Sequence, residues 1–241
     1  MRSAPGPARS GARDGRRPWL LVIDTATSRV VVAAAHPAGA LIAETDWPAG
    51  HRHGELLLAS IGRLTGEANL RRSRLRGIVV GSGPGAFTGL RVGLATAKTL
   101  AHELRLPIAG VGTGTALLAA ASLAGAGPED RLVLLLPAGP SDRVVVRSGT
   151  PPELLPGGRE PDLGPADRLV AVDLDGRAPA PAVALGELAR QGLAAALAAL
   201  GAVRIAAGTD DDVERLVPEY VTLPRGVAES RGEVAWSRDH R

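Results

Sequence analysis

Apolar and polar positions fall into blocks from residue 19 onward. Residues 19–23 form a continuous apolar run of strand length, a polar turn runs from Asp24 to Arg29, and 30–35 is a second apolar run. Pro37 and Gly39 turn the chain again before a third strand over 40–45, so an antiparallel meander is predicted. A helix is predicted over 55–64, where Leu56, Leu57, Ser60, Ile61 and Leu64 share a face. A strand over 78–80 then empties into a glycine-rich loop. The loop opens a second helix over 89–104, with Val92, Ala95, Leu100 and Leu104 spaced for burial, and a strand follows over 107–111. The first half therefore reads β-β-β-α-β-α-β.

The second half repeats this order more faintly. Residues 132–136 and 143–147 predict a hairpin, the Pro/Gly-rich stretch 150–165 predicts irregular chain, and 169–172 a short strand. A strongly apolar helix over 184–200 and a last strand over 203–206 complete the pattern. Two related α/β lobes are expected, over 19–113 and 114–225, between an Arg/Pro/Gly-rich extension (1–18, expected to be disordered) and a polar tail (226–241).

Composition changes this picture little. At 241 residues and 45% hydrophobic content the core is ample, yet 2% aromatics leaves its filling to Ala, Val, Leu and Ile. A pI near 10.4 suggests a polyanion binder, but Arg2, Arg9, Arg13, Arg16 and Arg17 against Asp14 place a net +4 in the extension, and the remainder is close to neutral. Zero cysteines excludes disulfides, thiolate metal sites and a Cys nucleophile. No apolar run reaches the ~20 residues of a membrane span, so a cytoplasmic protein is expected.

The candidate chemistry gathers at residues 77–93. Gly81, Gly83, Gly85 and Gly89 permit backbone angles closed to other residues, and a helix start offers unpaired N–H groups, so Asp24, Thr25, Gly83, Gly85, Thr88, Gly89 and Arg91 are the candidate anion- or nucleotide-like loop. The working residues of such loops are missing. Gly89 is followed by Leu90 and Arg91 where a nucleoside-triphosphate loop has Lys-Ser/Thr, and the chain's one lysine is Lys98. The spacing Gly83, Gly85, Gly89 also departs from a dinucleotide fingerprint. Ser82 lacks the flanking glycines of a nucleophile elbow. His51 and His53, with no further ligand nearby, read as a loop pair and not a metal site. No catalytic residue, metal or cofactor is assigned.

Leu21-Val-Ile-Asp24-Thr25-Ala26-Thr27, His51-Arg-His53-Gly-Glu55-Leu-Leu, Gly83-Pro-Gly-Ala-Phe-Thr-Gly-Leu-Arg-Val-Gly93 and Pro107-Ile-Ala-Gly-Val-Gly112 resemble, in order and spacing, the TsaB (YeaZ) family. Pro218-Glu-Tyr220-Val is similar to that family's usual ending, whereas Ala86 and Gly54 stand where it usually has serine. The resemblance implies an actin/Hsp70/sugar-kinase-type fold of two ribonuclease-H-like lobes. It implies a non-catalytic subunit of tRNA threonylcarbamoyladenosine synthesis, paired with the catalytic paralogue TsaD and served by the ATPase TsaE. tRNA would be reached indirectly, through the complex. It also implies that the helices of the first lobe form the heterodimer surface, for which Leu56, Leu57, Ile61, Leu64, Ala97 and Ala101 are the candidate residues, with self-association of the chain as a further use. The alternative is an autonomous kinase- or acyltransferase-like enzyme using Asp24 and loop 81–93.

Overall fold

A computed structural model of the chain describes residues 17–49, 53–127 and 129–221. The meander forms as the alternation requires: β1 (Trp19–Asp24), β2 (Arg29–Ala35) and β3 (Leu41–Pro48) pair antiparallel in sequence. Helix α1 (His53–Glu67) leads to β4 (Leu75–Gly81), and α2 (Phe87–Leu104) leads to β5 (Ile108–Val111). Both new strands run parallel to β1, giving the order β3-β2-β1-β4-β5. Every residue of β1 is buried because helices cover both faces of the sheet, which explains a strand that reads as an unbroken apolar run. Leu21, Ile23, Val32 and Val80 pack under α1 and α2, while Val22, Val31, Ala33 and Val79 face the middle of the molecule.

The second sheet has the order β8-β7-β6-β9, from β6 (Arg131–Pro137), β7 (Arg143–Arg147), β8 (Glu153–Leu155) and β9 (Asp167–Ala171). Its pairings are again antiparallel, antiparallel and parallel. Strand order and direction thus repeat the first four strands of the first sheet. The chain thus has the two-lobed α/β fold that the sequence predicts. Helix α3 (Thr113–Leu123) and the helices α4 (Ala180–Gln191) and α5 (Leu193–Ala206) fill the space between the sheets.

Four expectations change here. The helix expected over 184–200 is two helices, α4 and α5, bent by 54° about Gly192. The strand expected over 203–206 is the last turn of α5: Val203 and Ile205 favour strands, but the preceding Ala/Leu run is already helical, and extending a helix is easier than nucleating a strand. Helix α3 is not predicted, since it is buried on nearly every side and carries no amphipathic period. Strand β8 lies inside the stretch expected to be irregular, its edge position leaving Glu153 and Leu154 exposed without alternation.

Residues 208–221 return to the first lobe as a strap. Asp211 bridges Ile108 on β5, and its carboxylate accepts from the Gly110 amide at 2.7 Å and from Arg204 at 2.9 Å. This covers the free edge of β5, which would otherwise present unpaired backbone groups. Among the described residues no single helix is long and apolar enough to cross a membrane; α4 and α5 together come near, but they bury Leu185, Ala189, Leu193 and Leu197 within the fold. Residues 1–16 of the 1–18 extension and all of the tail over 226–241 lie outside the described residues.

Candidate functional site

The glycine loop sits where β1, β4 and β5 end, beside the turn that joins β1 to β2. That turn fills the loop. A Cβ on Gly85 would overlap the carbonyl of Ala26, and one on Gly89 would overlap the carbonyl of Thr25. The Ala86 amide donates to Ala26 O at 2.8 Å, and the Thr25 hydroxyl donates to Gly89 O at 2.8 Å. The glycines are therefore needed for close approach of the chain to itself. Gly85 and Gly89 line a seat that Thr25 and Ala26 occupy, so the loop is not an open cradle. Thr88 is exposed in the first turn of α2.

Asp24 lies beneath this turn with no exposure. Its Oδ1 accepts from the Ala26 amide at 2.9 Å, and its Oδ2 accepts from the Thr113 hydroxyl at 2.6 Å. The Thr113 hydroxyl in turn accepts from the Gly83 amide at 3.2 Å, so one carboxylate ties together β1, the glycine loop and the start of α3. Burial raises the Asp24 pKa to about 6, while the bonds from Thr113 and Ala26 pull the other way. Asp24 is thereby a pin within the backbone. Sequence reasoning placed Asp24 in the anion-like loop and missed Thr113, whose only signal is a Thr-Gly pair just after a strand.

Arg91 does not stand free as an anion clamp. Its guanidinium lies over the Phe87 ring, 4.2 Å from the centroid, and its Nε donates to Tyr220 Oη at 3.2 Å. The Phe87 and Tyr220 rings are 5.1 Å apart. The strap delivers Tyr220: the Glu219 amide donates to Ser82 O at 2.7 Å, and Lys98 holds the strap through Glu214 O at 3.2 Å and Leu216 O at 3.0 Å. A cavity of about 220 Å³ remains between Phe87, Pro137, Gly139 and Tyr220. Burial raises the pKa of Glu219, which borders it. His51 and the side chain of His53 lie outside the described residues, and among the described residues no three His, Asp or Glu gather as metal ligands.

The residues expected at a partner surface divide. Leu57, Leu64, Ala97 and Ala101 are core, each at most 4% exposed, because they face the sheet on which α1 and α2 lie. This corrects their assignment. Ile61 is half-buried and Leu56 is 39% exposed. Ala95, expected to be buried, is exposed on α2. The outward row of α1 is Leu58, 57% exposed, with Gly62 and Gly66; apart from adjacent residues and the helix's own backbone, no atom lies within 4 Å of where a Cβ would stand on either glycine. Sequence reasoning missed this row because it sought the apolar stripe, which is the buried one.

Residues 48–166 match a family model described as TsaD, tRNA N6-adenosine threonylcarbamoyltransferase. An uncharacterized protein of Mycobacterium leprae is 40% identical over 95 residues, 38% of this chain and 26% of that protein. The tRNA threonylcarbamoyladenosine biosynthesis protein TsaB of Bacillus subtilis is 33% identical over 92 residues, 38% of this chain and 40% of that protein. The matches thus span less than half the length of these relatives. YeaZ from Pseudomonas aeruginosa has the same fold, with a TM-score of 0.64 at 21% identity over 84% of this chain and 99% of that one. The chain is thus similar in sequence to TsaB of Bacillus subtilis across 38% of its length and in fold to YeaZ from Pseudomonas aeruginosa across 84%.

Proposed function

We propose that the chain is a non-catalytic subunit that binds a TsaD-type threonylcarbamoyltransferase and supports transfer of the threonylcarbamoyl group to the adenosine next to the anticodon of tRNAs. The observation that carries this reading is the row Leu58, Gly62, Gly66 on α1. Glycine inside a helix costs about 1 kcal/mol relative to alanine. No neighbour within the chain uses the missing Cβ at Gly62 or Gly66. Residues four apart lie on one line of a helix surface, and small residues there let a second helix come close. The exposed Leu58 adds an apolar anchor at the end of the row.

The filled cradle supports the non-catalytic half of the reading. The loop's backbone donors and acceptors bond to the 24–27 turn and to Thr113, Asp24 is pinned, and the one lysine holds the strap. On this reading a TsaE-like ATPase acts on the pair, tRNA is reached through the complex, and self-association uses the same α1 row in competition with the enzyme. Co-expression with the host's TsaD-type protein, one tag on the enzyme, tests the surface. The untagged chain is expected to co-purify and its Leu58→Asp variant to be lost. A variant that folds and still co-purifies in full overturns the assignment of the row.

A further inference from the structure

A contact between the lobes stands apart from the proposed partner face. Asp173 lies just beyond β9 in the second lobe and takes the left-handed backbone conformation, with φ of 59°. Asp is among the few non-glycine residues that adopt it, so the backbone alone assigns nothing. The side chain does more. Its Oδ2 accepts from the Ser28 amide at 2.6 Å and its Oδ1 accepts from the Ser28 hydroxyl. Both oxygens of one carboxylate thus engage both donors of one residue in the other lobe, which sets the distance between lobes as a single bond would not. Ser28 is also fixed from its own side, since its carbonyl accepts from the Ala49 amide at 2.6 Å. It closes the same turn whose residues 25 and 26 fill the glycine loop.

We propose that Asp173 is a latch: it sets the angle between the two lobes and keeps the β1–β2 turn seated in the glycine loop with no ligand bound. A bond of this kind stabilises the lobe arrangement that makes it and contributes nothing to one that separates Ser28 from Asp173. The latch belongs to the chain alone and needs no partner.

The chain's lack of cysteine allows a direct test in full-length protein. Spin labels at Thr99→Cys and Ser148→Cys, both exposed and one on each lobe, report the lobe separation by pulsed electron resonance. The parent is expected to give one narrow distance distribution. Asp173→Ala is expected to broaden it and move it by several ångströms, and Ser28→Ala, which removes one of the two bonds, to do so by less. If Asp173→Ala fails to fold, Ser28→Ala together with hydrogen exchange at the residue 28 amide decides, faster exchange supporting the latch. A distribution that stays at the parental position and width in the folded variants overturns it.

Discussion

Asp24 carries a conflict between its hydrogen bonds and its burial. The bonds from Ala26 and Thr113 favour the charged form, burial opposes it more strongly, and the balance lies at a pKa of about 6 against 3.8 for an ordinary aspartate. A folded-state pKa above the unfolded one means that the folded chain binds the extra proton between these values. The stabilising contribution is complete below about pH 4 and lost as pH rises through about 6. A shift of this size corresponds to about 3 kcal/mol. The stability of the parent relative to Asp24→Asn should therefore fall by up to that amount between pH 4 and pH 7.5, measured by urea unfolding at each pH; a flat difference would show that Asp24 titrates normally. Gly85 gives a second residue-scale prediction. Its Cβ has no room beside Ala26, so Gly85→Ala should cost about 1–3 kcal/mol in the same assay. An unchanged midpoint would mean that the turn is not packed into the loop.

Helix α1 makes opposite predictions for the isolated chain and for the complex. Gly62→Ala should raise the chain's own stability by about 0.5–1 kcal/mol, because alanine is the better helix former and a Cβ there meets open space. Gly62→Leu should leave the chain folded and weaken the enzyme's binding at least about tenfold, a loss of ~1.4 kcal/mol. Calorimetric titration separates the two effects, and unaltered affinity in Gly62→Leu would remove the close helix contact. Helices were legible where one face is buried and one is wet, as in α1 and α2, and buried strands where an unbroken apolar run is bounded by turns, as in β1, β2, β4 and β5. Helices without a wet face to mark their period, and a short strand in Pro/Gly-rich chain, were not. Helix α3 has little polar face to mark its period, α4 runs into α5 with only Gly192 between them, and β8 is a three-residue strand that packs only Leu155 against the core. The glycine loop was found as a motif, but glycine for a ligand and glycine for the chain's own turn read alike in sequence. Only the position of the carbonyls of Thr25 and Ala26 separates them.

At the scale of the molecule, two lobes of one topology have different surroundings. The first lobe carries α1 and α2 on its outer face, with the row of Leu58, Gly62 and Gly66 turned outward; the second carries the latch residue Asp173. The strap over residues 208–221 ties the C-terminal part of the chain to the β5 edge and places Tyr220 against Phe87 and Arg91. These contacts leave the glycine loop filled by the chain's own turn, and on the proposed reading the chain contributes to tRNA modification through another protein. Reconstituted threonylcarbamoyl transfer to tRNA, with the host's TsaD-type enzyme and its accessory ATPase, tests this most directly. The account predicts strong transfer when the chain is added, none from the chain without the enzyme, and a loss with Gly62→Leu that follows its loss of binding. Transfer by the chain alone, or transfer by the enzyme that is indifferent to the chain, would contradict it.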